Sequence, residues 1–222
     1  MDGTVTDSSD KLSPLQRALV DAFFRQTDRF FLTGGGALAG FYLHHRVTDD
    51  LDLFATGDVE AQEGVYALRA AANDVGATAQ LQRHSGDFNR FVVTRGDETT
   101  LVDVVIDRAP QIVGEKPRIG HVRIDPPREI AANKLCAILG RAAPRDLVDL
   151  KLLLDGGMRL EDVIEDARVK DGGADPATLA WVLSEIRISP DAAFPAGVDG
   201  ATLDTWRSDL IVRLRRMALP SE

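Results

Sequence analysis

Asp50-Leu51-Asp52 sits on an apolar run with an uncommon preface: a short apolar strand, three consecutive glycines and a segment with helical spacing. That order limits the folds open to the chain more than any other feature. A strand predicted over 29–33 leads into Gly34-Gly35-Gly36, and Leu38, Phe41 and Tyr42 then recur along one helical face across 37–45. Strand, helix and strand so close together require a layered unit of both types. Residues two apart on a strand share a face, so Asp50 and Asp52 project side by side, about 7 Å apart. Adjacent carboxylates repel one another unless a positive charge lies between them, and Mg²⁺, a hard cation favouring oxygen ligands, is the usual partner, with Mn²⁺ its substitute. Glycines beside them let a phosphate group approach the backbone near a helix N-terminus. The plainer alternatives are a strand end facing solvent for the aspartates and a flexible turn for the glycines.

A third carboxylate is wanted to complete such a metal site and to orient or deprotonate an attacking hydroxyl. Asp103 stands inside the apolar strand Leu101-Val102-Asp103-Val104-Val105-Ile106, where an unpaired buried charge costs several kcal/mol. A metal shared with Asp50 and Asp52 accounts for it. Asp107 falls on the same face, but beside Arg108 and Pro110 it reads as a strand end or the partner of a base.

A net charge of -9 excludes a protein that coats nucleic acid, since that binding rests on neutralising phosphates with Lys and Arg. Local basic clusters remain: Arg118, His121, Arg123, Arg128, Lys134, Arg141 and Arg145 in one stretch, and Arg207, Arg213, Arg215 and Arg216 in another. The single cysteine, Cys136, has no partner for an internal disulfide and falls among apolar neighbours. The first dozen residues are polar, and the apolar stretch 30–43 is broken by glycines and shorter than the roughly 20 residues that span a bilayer. The expected setting is the cytoplasm, away from membranes.

Beyond a polar tail ending near residue 12, a helix opens at Pro14, with Leu15, Ala18, Leu19, Ala22 and Phe23 forming one apolar stripe. A helix is predicted over 58–73 and strands over 78–83, 89–95 and 99–106, the last two joined by the turn Arg95-Gly96-Asp97-Glu98. After Pro126-Pro127 the pattern becomes helical: 128–140, 144–154, 160–168, 175–186 and 203–217. The fold class is therefore α+β, a mixed sheet flanked by helices followed by a C-terminal helical bundle. The division is placed at 1–115 for the sheet domain and 116–222 for the helical one, which is expected to contribute to the ligand cleft. Lys134, Arg141 and Arg145 fall at seven- and four-residue steps along a helical stripe, which suits either phosphate binding or a solvated face. Arg145 and Asp149 have the spacing of an exposed ion pair.

Two blocks of sequence resemble a known family. Phe31-Leu32-Thr33-Gly34-Gly35-Gly36-Ala37-Leu38 followed by His45-Arg46-Val47-Thr48-Asp49-Asp50-Leu51-Asp52-Leu53-Phe54 is similar to the nucleotidyltransferase toxins of the AbiEii/AbiGii type, within the DNA-polymerase-β-like superfamily. Glu129-Ile130-Ala131-Ala132-Asn133-Lys134-Leu135, with Arg141 and Arg145-Asp146-Leu147-Val148-Asp149-Leu150, resembles that family's second block. The resemblance implies a polymerase-β-like catalytic domain that moves a nucleoside monophosphate from an NTP to an acceptor, in some members the 3′ end of tRNA, as the toxin of a toxin–antitoxin pair. It implies Mg²⁺ or Mn²⁺ on Asp50, Asp52 and Asp103, and catalytic roles for those three and Lys134. Nucleotide contacts are implied for Gly34, Gly35, Gly36, Arg46, Lys134, Arg145, Asp146 and Asp149, and an antitoxin as a protein partner. One position departs: the family often has Ser or Thr where this chain has Gly36, which leaves Thr33 to supply a hydroxyl. The alternatives are transfer to a small hydroxylated molecule such as an aminoglycoside, and a degenerate module that binds nucleotide without catalysis.

Overall fold

The computed structural model describes residues 11–57, 59–141 and 143–219; most of the polar tail expected at the N-terminus lies outside them. Two compact units emerge, 1–108 with 115–126, and 109–114 with 127–222. The chain thus crosses between them at three places instead of once near 115. The reason is local pairing. Residues 115–126 carry the two-residue strands β6 (Arg118–Ile119) and β7 (Val122–Arg123), after which Ile124 bridges to Leu32 and the Asp125 amide donates to the Leu32 carbonyl at 2.8 Å.

In the first unit, helix α1 (Pro14–Gln26) starts where the sequence places it. Ser13 and Gln16 form a reciprocal capping box, Pro14 occupies the first turn, and Leu15, Leu19, Ala22 and Phe23 are buried. Strand β1 (Phe31–Thr33) leads into α2 (Gly34–Ala37), which widens into a π-helical turn, Leu38–Tyr42. The helix therefore begins within the glycines, where a turn followed by a helix from 37 was expected. Strand β2 (Asp50–Thr56) is followed by α3 (Ala61–Asp74), β3 (Thr78–Ser85), β4 (Phe88–Arg95) and β5 (Glu98–Asp107).

Among the described residues these strands form a mixed five-stranded sheet in the order β1-β2-β5-β4-β3. Only β2 and β5 run parallel; the other neighbours are antiparallel. Alternation sorts the side chains by face. Leu51, Leu53 and Ala55 of β2, Phe91 and Val93 of β4, and Val102, Val104 and Ile106 of β5 are buried. Helix α3 lies so close on that face that a Cβ at Gly64 would collide with Phe30 and Val104. The other face carries the polar alternates, among them Asp50, Asp52 and Asp103.

The second unit holds α4 (Pro127–Arg141), α5 (Pro144–Asp155), α6 (Leu160–Lys170), α7 (Pro176–Glu185) and α8 (Gly200–Met217). Ile130, Leu135, Ile138, Leu147, Leu150, Ile164, Leu183, Leu203 and Leu214 form its core. Asp175 and Asp199 cap α7 and α8. Residues 109–114 are tied in by the buried Glu129, which accepts from the Ile112 and Val113 amides at 3.0 and 2.8 Å and pairs with Lys170. Pro144 ends the continuity that a single Lys134–Arg141–Arg145 stripe needs: the chain breaks after Arg141 and restarts as α5. None of the described helices is long and apolar enough to cross a membrane.

Candidate active site

Five side chains stand in register across the sheet of the first unit: Thr33 opposite Asp52, Asp52 beside Asp103, Asp103 opposite Arg90, and Arg90 opposite Arg83. Register partners share a face, so this is one polar row crossing β1, β2, β5, β4 and β3. Asp50 stands on the same face as Asp52, one step along β2. The three aspartates singled out from sequence are therefore neighbours on one surface, and the parallel β2–β5 pairing is what brings them there.

The glycine segment is fitted against this row. Gly34 has φ of +63° and touches the Asp52 carboxylate so closely that a Cβ there would collide with Oδ2. Only glycine meets both demands. A Cβ at Gly35 would collide with the Arg46 guanidinium, and the Thr48 hydroxyl lies on the same side. Gly36 faces Leu51 and Leu32 at ordinary contact distance, so its place is in the packing of α2 on β2. Thr48 donates to the Asp50 carbonyl at 3.1 Å.

Asp103 is 5 % exposed and is held by Arg90: Nε donates to Oδ1 at 2.8 Å and Nη2 to Oδ2 at 2.7 Å. Those bonds, with the charges of Asp103, Asp50 and Asp52, outweigh desolvation and raise the Arg90 guanidinium above its ordinary range. The Arg90 guanidinium also lies over the Phe88 ring, 5.6 Å from its centroid, and Arg83 approaches the same ring at 5.9 Å. Among the described residues no three His, Cys, Asp or Glu side chains converge closely enough to hold a metal ion as they stand. Asp50 and Asp52 nevertheless offer two carboxylates on the strand face against which Gly34 packs, and this chemistry suits a hard divalent cation.

Thr33 does not offer a hydroxyl to a ligand in place of a serine at position 36. It donates to Asp125 at 2.5 Å, and Asp125 pairs at 2.8 Å with Lys116, both ions almost fully buried. Lys116 also sits 4.9 Å from the centroid of Phe31. Burial, with the charge of Asp125 added, pushes the Tyr42 phenol up to about 12, so it stays protonated at neutral pH. The cluster locks the end of β1 from which the glycines start.

In the second unit, Lys134 donates to Asp146 at 2.8 Å and pairs with Asp149 at 2.6 Å, both carboxylates having no exposure. Arg141 closes on Asp146 from the solvent side with bonds of 2.8 and 3.1 Å. Burial alone would raise the Asp146 carboxyl; the hydrogen bond from Arg141 and the charge and bond of Lys134 outweigh it and hold the group below its ordinary range. Asp149 is thus a buried partner of Lys134, where the spacing had suggested an exposed pair with Arg145. An ammonium has three donors, so Lys134 retains one N–H beyond these two carboxylates. Arg145 is exposed.

Sequence reasoning missed Arg90, Asp125 and Lys116. Arg90 was within reach. The turn at 95–98 sets Arg95 opposite Glu98, and counting five residues back along each strand places Arg90 opposite Asp103. Asp125 and Lys116 had no such signal, because their site depends on residues 115–126 returning to β1.

The family model of the nucleotidyl transferase AbiEii toxin of type IV toxin–antitoxin systems matches residues 17–210. MenT4, a nucleotidyltransferase toxin from Mycobacterium tuberculosis, superposes with a TM-score of 0.67 at 18% identity, over 93% of this chain and 83% of that one. JHP933 from Helicobacter pylori superposes with a TM-score of 0.55 at 22% identity, over 91% of each chain. At these identities the two structures establish the shared α+β fold. No curated protein matches the sequence.

Proposed function

The chain belongs to the AbiEii family of nucleotidyltransferase toxins, and from that premise we propose that it transfers a nucleoside monophosphate from an NTP to the 3′ end of an RNA, with tRNA as the acceptor. The observation that carries the proposal is the row in which Gly34 abuts Asp52 while Asp103 stands beside it in register. A triphosphate needs a surface that admits its oxygens to the backbone and a cation that offsets its charge. Gly34 and Gly35 serve the first by letting the Asp52 carboxylate and the Arg46 guanidinium close on the backbone from which the phosphates would be held. Asp50 and Asp52 would hold Mg²⁺ or Mn²⁺, which when bound neutralises charge on the phosphates of the transferring group.

The chain's own residues do the rest. Arg46, against Gly35, contributes a guanidinium on the glycine side of the row. Asp103 accepts a hydrogen bond from the acceptor hydroxyl and aims its oxygen, using lone pairs that Arg90 does not engage. Proposed nucleotide contacts of Lys134, Arg145, Asp146 and Asp149 rest on the motif resemblance. The family's description as half of a toxin–antitoxin system supports an antitoxin as partner and the cytoplasm as setting.

Incubation with labelled NTPs, Mg²⁺ and total tRNA tests this function. Label on the RNA 3′ end from the wild type, lost in Asp52→Ala and after chelation, is the expected result. Label on an aminoglycoside in a parallel arm, with none on RNA, would move the activity to small hydroxylated acceptors. No transfer above that of Asp52→Ala in either arm would defeat both.

A further inference from the structure

Resting on the assignment of Asp50 and Asp52 to a divalent cation, we propose that Arg90 is a positioning residue that keeps the Asp103 carboxylate out of that cation's coordination shell and reserves it for the acceptor. Three carboxylates share this face, and neighbouring strands lie only about 4.8 Å apart, so Asp52 and Asp103 stand side by side. Left alone, both would converge on one cation. Arg90 stands on the opposite flank of Asp103 in the same row and takes both of its oxygens at once, at 2.8 and 2.7 Å.

The grip is built from several elements. The hairpin turn fixes the register, with Arg95 and Glu98 paired across it at 2.8 Å. The Phe88 ring carries the guanidinium, and Arg83 lies on the same ring. Asp103 is nearly enclosed and Arg90 one-third exposed, so solvent weakens the pair only on one side. A planar fork can engage two carboxylate oxygens in this way, whereas an ammonium cannot. A cation approaching from Asp50 and Asp52 therefore meets an Asp103 already engaged and a guanidinium of like charge behind it.

Mn²⁺ affinity, measured by calorimetry without nucleotide on wild type, Arg90→Gln, Asp103→Asn and the double variant, reads this directly. Asp103→Asn in the wild-type background is expected to change Mn²⁺ affinity less than about threefold. Arg90→Gln should tighten Mn²⁺ at least tenfold and lower kcat. Adding Asp103→Asn to Arg90→Gln should then reverse the gain, because the freed carboxylate is what joined the ion. Arg90→Lys should fall between wild type and Arg90→Gln. Circular dichroism of each variant confirms the fold; an Arg90→Gln that fails it is replaced by Arg90→Met, and an Asp103→Asn that fails it by Asp103→Ala. A tenfold loss from Asp103→Asn alone, unchanged affinity in Arg90→Gln, or no Mn²⁺ binding by any variant overturns the proposal. Label transfer by the wild type is scored separately, so loss of this inference leaves the transferase assignment to its own assay.

Discussion

Each unit gathers aspartates around a cation, and the two clusters are built to opposite ends. On the sheet face Asp50 and Asp52 are half-buried, Asp103 is held by a single guanidinium, and a glycine is pressed against the cluster. In the helical unit Asp146 and Asp149 are fully enclosed, and Lys134 and Arg141 match them charge for charge. A half-buried cluster with an open side can still take a ligand. A cluster that is balanced and closed also contributes to the integrity of the unit that contains it, beside the nucleotide contacts proposed for it.

The largest test of this contrast is Asp52→Asn. Transfer should drop to the background of the labelled-RNA assay while the melting temperature falls less than in a variant of the enclosed cluster, because Asp52 is only half-buried. A large fall in melting temperature would mean that the open cluster is structural after all. Lys134→Met should lower stability as well as transfer, leaving two buried carboxylates with one cation fewer at a cost of about 3–5 kcal/mol, read by urea unfolding. Near-normal stability in that variant would erase the distinction between the clusters. Gly34→Ala is next. It forces an alanine into left-handed backbone at about 1–2 kcal/mol and drives a methyl into the Asp52 carboxylate, so stability and transfer should fall together.

The smallest effect is in pH dependence. Asp146 has a lowered folded pKa, so its stabilising contribution is complete above the ordinary carboxylate range and is lost as pH falls through the lowered value. Arg141→Gln removes the foremost of the interactions that lower it, so acid unfolding should begin at higher pH than in the wild type. Because Arg141 is more than half exposed, the loss at neutral pH should stay within about 1 kcal/mol. Superimposable melting curves across the acid range would show that Lys134 alone balances Asp146.

Much of this was legible along the chain. The alternation around Asp50 and Asp52 named their common face, the turn at Gly96 joined β4 to β5, and Pro14 opened α1. Asp103 and the glycines stood out because each is a local anomaly, a charge in an apolar run or residues without side chains in a row, and Lys134 by its spacing to Arg141 and Arg145 and its place in the family's second block. The burial of Lys134 was not legible. It depends on α5 folding back along α4 after Pro144, whereas spacing alone laid Lys134, Arg141 and Arg145 in one stripe. The commitment of Thr33 to Asp125 was hidden for a similar reason, since the partners are 92 residues apart.

By itself the sequence determined the periodicities, the turns and the identity of the ionisable groups, all set by neighbours within a few residues. Tertiary structure alone decided which charges meet. The parallel pairing of β2 with β5 set Asp103 beside Asp52, the β4 register turned Arg90 onto Asp103, and the fold-back of α5 enclosed Lys134. The physical reason is range: backbone preference acts over a turn or two, whereas the pairing of charges in a protein is fixed by strand order and helix packing between residues far apart in the chain.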